Sequence, residues 1–175
     1  MRKSLFLALL LSSCLLATAQ ETPLVSPQRS FSISQQWRAD YWATTIRFAD
    51  RALAEVALED MYRLPALFYI SPDDQWILRI QKEGSGYTVS SLYHVEQNGR
   101  IWRMDQSLDV LAFRLLERLG VPLKWDLHNT GIKFVAWGDD TLRFIVHGSD
   151  KQSGKAIERE LTYDLKNHQF RVPEA

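Results

Sequence analysis

The sequence predicts an α+β chain, mainly antiparallel β, with two blade-like β-meanders and one intervening α-helix packed on a sheet. Three observations predict it. Short runs that alternate apolar and polar residues dominate the chain after residue 30, as half-buried strands do. Two stretches, YISPDDQWILRI (Tyr69 to Ile80) and FVAWGDDTLRFIV (Phe134 to Val146), each set an acidic turn before such a run, at an offset of about 66 residues. Between them lies one segment with clear helical spacing, Ser107 to Leu119.

The first 19 residues read as a secretory signal peptide. Arg2 and Lys3 open it, Leu5 to Leu16 is an almost unbroken apolar run, and Ala17-Thr18-Ala19 is a small-residue cleavage site. The run falls short of the roughly 20 apolar residues that a membrane span needs, and no later stretch reaches that length, so no transmembrane span is expected. Leu11-Ser12-Ser13-Cys14 offers a rival reading, a lipobox whose Cys14 is lipidated, which would tie the chain to a membrane through a lipid anchor alone. Against it, Leu15 and Leu16 follow the cysteine, where lipoproteins turn polar. Cleavage after Ala19 leaves about 155 residues, enough for one domain with a sizeable core. It also removes the chain's single cysteine, and with it disulfides and thiol chemistry.

The whole chain carries 21 Lys and Arg against 21 Asp and Glu, and loss of Arg2 and Lys3 tips the balance slightly acidic. Without a basic cluster, a nucleic-acid partner is not expected. Residues 20–30, with two prolines and no period, read as a disordered leader. Residues 31–175 then read as a single β-rich domain.

Within that domain, Trp37 to Phe48 is rich in the aromatic and β-branched residues of strands. Asp50 to Leu64 leans to a helix: Ala, Leu and Glu favour it, and Leu53, Val56, Ala57, Met61 and Leu64 make a stripe ended by Pro65. Its Ala52, Ala54, Val56 and Leu58 also alternate, so an early strand stays open. Trp76, Leu78 and Ile80 alternate with Arg79 and Gln81, and Thr88 to Val95 runs into Gln97-Asn98-Gly99, a strong hairpin signal. Arg100 to Met104 is the returning strand. In the helix, Leu108, Leu111, Ala112, Leu115 and Leu119 share a face, with Asp109, Arg114, Glu117 and Arg118 away from it. Ser107 is the expected N-cap and Gly120 the left-handed C-cap, with Pro122 beyond. Lys133 to Trp137, Leu142 to His147 and Ala156 to Leu165 continue the strand pattern. The last sets Ile157, Leu161, Tyr163 and Leu165 on one face against Glu158, Glu160, Thr162 and Asp164.

Followed forward, each acidic turn leads through a strand, a polar loop (Gly84 to Gly86; Gly148 to Gly154), a second strand and a further turn. This order resembles a blade of the TolB-like β-propellers, with Tyr93 and Tyr163-Asp164 where that pattern puts its aromatic and acid. The resemblance covers Tyr69 to Arg100 and Phe134 to Phe170, and it implies an interaction platform. It departs from the family in number, since two units are too few for a ring that closes with about 4 to 8 blades. Other surfaces must then cover their apolar faces.

The sequence offers little that is specific to catalysis. His94, His128, His147 and His168 form no metal-ligand motif, so no metal is expected, and nothing implies a cofactor. His94 and Glu96 read as an ordinary polar pair on one strand face. Asp73-Asp74 and Asp139-Asp140 lack the spaced ligands of a calcium loop and read as turn residues. Ser85 has no activating neighbour, and Glu158 with Glu160 reads as a solvated face. Trp37 and Trp42, five positions apart, would point to opposite faces of one strand. The polar stretch Asp126 to Gly131 is the most loop-like segment inside the domain, which makes Trp125, His128 and Asn129 the candidate ligand contacts. The function expected is an exported, non-enzymatic binding or assembly module whose partner is an envelope or secreted protein. The alternatives are an exported hydrolase with a site drawn from sequence-distant residues, and a lipid-anchored accessory subunit.

Overall fold

Alternation produces three antiparallel sheets, one meander more than expected, together with a single α-helix among the described residues. The computed structural model describes residues 22–50, 55–121 and 127–171, with 55–62 by their backbone alone. Residues 1–19, expected as a signal peptide and containing Cys14, lie outside them, as does Trp125.

The first sheet runs in chain order through β1 (Leu24–Val25), β2 (Phe31–Arg38), β3 (Tyr41–Phe48) and β4 (Glu55–Tyr62). Trp37 to Phe48 is not one strand. The chain reverses at Ala39, whose φ of 53° is left-handed, and Trp37 stands directly opposite Trp42 with the rings edge-on at 5.8 Å. The two indoles therefore share a face. Of the two readings left open over 50–64, the strand holds for the described residues 55–62 and the helix does not: β4 pairs with β3 from Arg47↔Glu55 to Trp42↔Tyr62. The open edge of β3 offers a full ladder of backbone partners, and tertiary pairing of this kind outweighs the modest helix propensity of Ala, Leu and Glu. Residues 22–30 differ from a disordered leader as well. Leu24 and Val25 pair with β2, and Ser26 accepts and donates the backbone hydrogen bonds of a tight turn.

The second sheet comprises β5 (Leu67–Ile70), β6 (Trp76–Lys82), β7 (Thr88–Val95) and β8 (Ile101–Arg103). The Asn98-Gly99 turn joins its last two strands as expected, with Gly99 at φ 80° and the Glu96 amide donating to the Arg100 carbonyl. After it come α1 (Leu108–Arg118) and the third sheet, β9 (Leu127–Trp137), β10 (Thr141–Asp150), β11 (Ala156–Asp164) and β12 (Gln169–Arg171).

The second sheet lies in the middle, and this answers what covers the meander faces. On one side Trp76, Leu78, Ile80 and Leu92 pack with α1 against Leu142, Phe144, Val146 and Tyr163 of the third sheet. On the other, Ile77, Tyr93 and Val95 pack against Phe31, Ile33, Ile46 and Phe48 of the first. Burial of each such side chain contributes about 1.5–3 kcal/mol. Arg79 and Gln81 fall on this second face and are only 3% and 2% exposed, where alternation alone would leave them in water. Burying them is tolerable because they are hydrogen-bonded. Arg79 donates to Gln81, whose amide donates to the Leu64 carbonyl, and the guanidinium lies 6.0 Å from the Phe68 ring centre.

Two polar pins cross the seam between the first and second sheets. The Gln35 side chain donates to the Ala66 carbonyl and accepts from its amide, at 2.9 and 2.8 Å. At the other end of the sheets, Asp74 accepts from the hydroxyls of Ser26 and Ser30, each at 2.6 Å, and from the amides of Gln28 and Ser30. The outward face of the first sheet carries Ser32, Ser34, Gln36 and Thr45. That of the third carries the half-exposed pairs Lys133–Glu158 and Arg143–Glu160.

The helix is turned from its expected orientation. Leu108, Asp109, Ala112, Phe113 and Leu116 are buried, whereas Leu119 is exposed. This rotates the buried face by roughly 70° at 100° per residue. Asp109, expected in solvent, is 0% exposed: its carboxylate accepts from the amide and hydroxyl of Ser90, and its own amide donates to that hydroxyl. Asp109 thus fixes the helix start to β7. Ser107 occupies the N-cap position without a side-chain cap bond. The C-terminus closes as expected, with Gly120 at φ 79° donating to Glu117 and Val121 to Leu116, the paired bonds of a Schellman motif.

Candidate functional site

A cleft of about 630 Å³ opens where α1 passes the starts of β7 and β9. Its volume lies in the range of small-ligand and side-chain binding pockets. Rotation of the helix places Val110 and Phe113 toward the cleft with Arg114 and Glu117 beside them, all from one helix flank. Val89 and Leu127 complete the apolar wall, and the half-exposed Tyr87 stands at its edge.

The third side comes from the first residues of β9. The segment Asp126 to Gly131, expected as a loop, is strand from Leu127 onward. It is an irregular one, with Asn129 at φ 52° and the ladder to β10 shifted between His147 and Ser149. There β9 leaves its regular course and meets the second sheet: the Thr130 amide donates to the Gly86 carbonyl, and Tyr87 bridges Thr130 in parallel. Close approach explains Gly131, because a Cβ on it would lie 2.0 Å from Thr88 Oγ1.

Of the expected ligand contacts, His128 lines the cleft. Asn129 sits next to it, with Oδ1 3.9 Å from where a Cβ on Gly86 would stand. Trp125 falls outside the described residues. Most of the remaining lining was not singled out from the sequence. Arg114 and Glu117 read as helix positions away from the apolar face, Val89 lay within an expected strand, and Tyr87 carried no reading at all. Only the polar stretch ahead of Gly131 carried a signal.

The other candidates disperse. His94 finds aromatic rather than charged cross-strand neighbours: its ring centre lies 4.6 Å from that of Trp76 and 5.1 Å from that of Trp102, and His168 meets both indoles at about 6 Å. Burial lowers the His94 pKa, with Glu96 opposing it and His168 adding to it. His147 is also lowered, by burial first and then by Lys133. Glu158 and Glu160 pair with Lys133 and Arg143 on the outer face. Among the described residues no three His, Cys, Asp or Glu side chains group closely enough to hold a metal ion. None of their helices is long and apolar enough to cross a membrane.

No protein-family model matches the chain, and comparison with curated proteins finds no match. Among solved structures, the crystal structure of TolB from Acinetobacter baumannii is similar at a TM-score of 0.38 and 9% identity, over 89% of this chain and 43% of that one. The chain therefore spans less than half the length of that structure.

Proposed function

We propose that the chain is exported and works outside the cytoplasm as a non-enzymatic binding module, taking an apolar stretch of an envelope or secreted protein in the α1–β7–β9 cleft. The observation that carries this is the cleft's chemistry. Val89, Val110, Phe113 and Leu127 form apolar walls, with Arg114, Glu117 and His128 among the polar groups that line it. Buried apolar contact supplies affinity in such sites, while a few charged groups at the margin orient the partner. Export follows from the signal features of residues 1–19.

A photo-crosslinking amino acid at Tyr87, with a control at Thr162 on the outward face of β11, tests it in whole cells. The expected result is a covalent adduct with one envelope or secreted protein from position 87 alone, lost when Val110→Glu puts a charge in the cleft. Adducts from both positions, or from neither, would contradict the proposal.

A further inference from the structure

At the end of the molecule opposite the cleft, a smaller groove of about 270 Å³ separates the turn between β5 and β6 from the turn between β9 and β10. Asp73 stands on one bank and Asp139 on the other, and Trp76 and Trp137 are among the residues that line it. The volume is below the range of whole-ligand pockets and suits a single side chain.

Two features say what kind of side chain fits. Both banks carry a carboxylate, and no Lys or Arg is among the described lining residues. Asp139 takes part in no side-chain hydrogen bond or ion pair among the described residues. Asp73 accepts at Oδ1 from Ser71 and the Gln75 amide, and its Oδ2 has no hydrogen-bond partner among the described residues. Trp76 and Trp137 add to this preference, since the electron-rich face of an indole attracts a cation held beside it.

We propose that this groove binds a lysine or arginine side chain presented by a peptide segment of a partner protein, held between Asp73 and Asp139 over Trp76 and Trp137. The platform is rigid on the Trp76 side, where His94, Trp102 and His168 pack around the same indole. The proposal is independent of the cleft at the other end, and either can fail alone.

Titration with tetra-arginine and tetra-lysine amides, against tetra-glutamate and tetra-alanine, tests it on ¹⁵N-labelled protein. The two basic peptides are expected to shift the indole N–H resonances of Trp76 and Trp137 and leave those of Trp37 and Trp42 in place. Asp139→Asn should weaken the basic peptides at least threefold, and Asp139→Lys should abolish their effect. Because Asp73 also supports its turn, Asp139 is the residue to vary, and unchanged Trp37 and Trp42 resonances will show that the fold persists. No shift at Trp76 and Trp137, an equal shift with tetra-glutamate, or unaltered affinity in Asp139→Lys would overturn the proposal.

Discussion

Replacing Asp74 by alanine tests the seam that joins the first two sheets. The carboxylate is 6% exposed and accepts four hydrogen bonds, two from serine hydroxyls and two from backbone amides. A hydrogen bond to a charged acceptor contributes about 1.5–3 kcal/mol. The four are not additive, because Gln28 and Ser30 can turn to water once released, so a loss of about 3 kcal/mol is expected for Asp74→Ala. Asp74→Asn keeps the shape and part of the acceptor and should cost about 1–2 kcal/mol. Burial alone would raise the Asp74 pKa, but the hydrogen bonds from Ser26, Ser30 and the Gln28 amide outweigh it and the pKa is lowered. A lowered carboxyl contributes stability that is full above its unfolded pKa of about 3.9 and is lost as pH falls through the folded value. The gap between wild type and Asp74→Asn should therefore be widest at neutral pH and narrow below about pH 4. Urea unfolding at pH 7 and pH 3 measures both. A loss under about 0.5 kcal/mol for Asp74→Ala would refute the reasoning, as would Asp74→Ala and Ser30→Ala effects that simply add.

Asp109→Ala removes the acceptor that ties the helix to Ser90 inside the core and should cost about 2–4 kcal/mol in urea unfolding, whereas Arg143→Ala, from a half-exposed pair, should cost less than about 1 kcal/mol. Gly131→Ala drives a Cβ onto Thr88 and should destabilise by about 1–3 kcal/mol, with part of the loss recovered in the Thr88→Ala background. His147 has a folded pKa below its ordinary value, so its contribution is full above about pH 6.5 and is lost as pH falls through the folded pKa; His147→Gln should flatten that part of the stability profile. Intact mass of the exported protein should correspond to a chain that begins at Gln20 without lipid; a lipidated N-terminus at Cys14 would favour the anchored alternative.

What was legible in the sequence follows the physics of each element. The Asn98-Gly99 hairpin and the Gly120 helix stop depend on backbone dihedrals that few residues accept, so local chemistry alone predicts them. The fold class was legible for a similar reason, since alternation identifies strands without knowing their partners. Partners decided the rest. The first meander was obscured because the Ala39 reversal has no Gly or Pro, and because β4 owes its state to the edge of β3. Asp109 and Arg79 looked like surface residues, yet both are buried and hydrogen-bonded, Asp109 to Ser90 of β7 and Arg79 to Gln81 two positions along its own strand. In the cleft, the polar stretch singled out in the sequence contributes His128 to the lining at the start of β9. The rest of the lining comes from α1 and β7, and its convergence depends on a helix rotation that no periodicity specifies.

Hydrogen–deuterium exchange on the mature protein, with and without the partner captured through position 87, tests the binding account most directly. The account predicts slower exchange confined to peptides covering 86–89, 110–117 and 127–130, and no such protection in Val110→Glu. Protection that falls instead on the outward faces of the first or third sheet, or is unchanged in Val110→Glu, would contradict it.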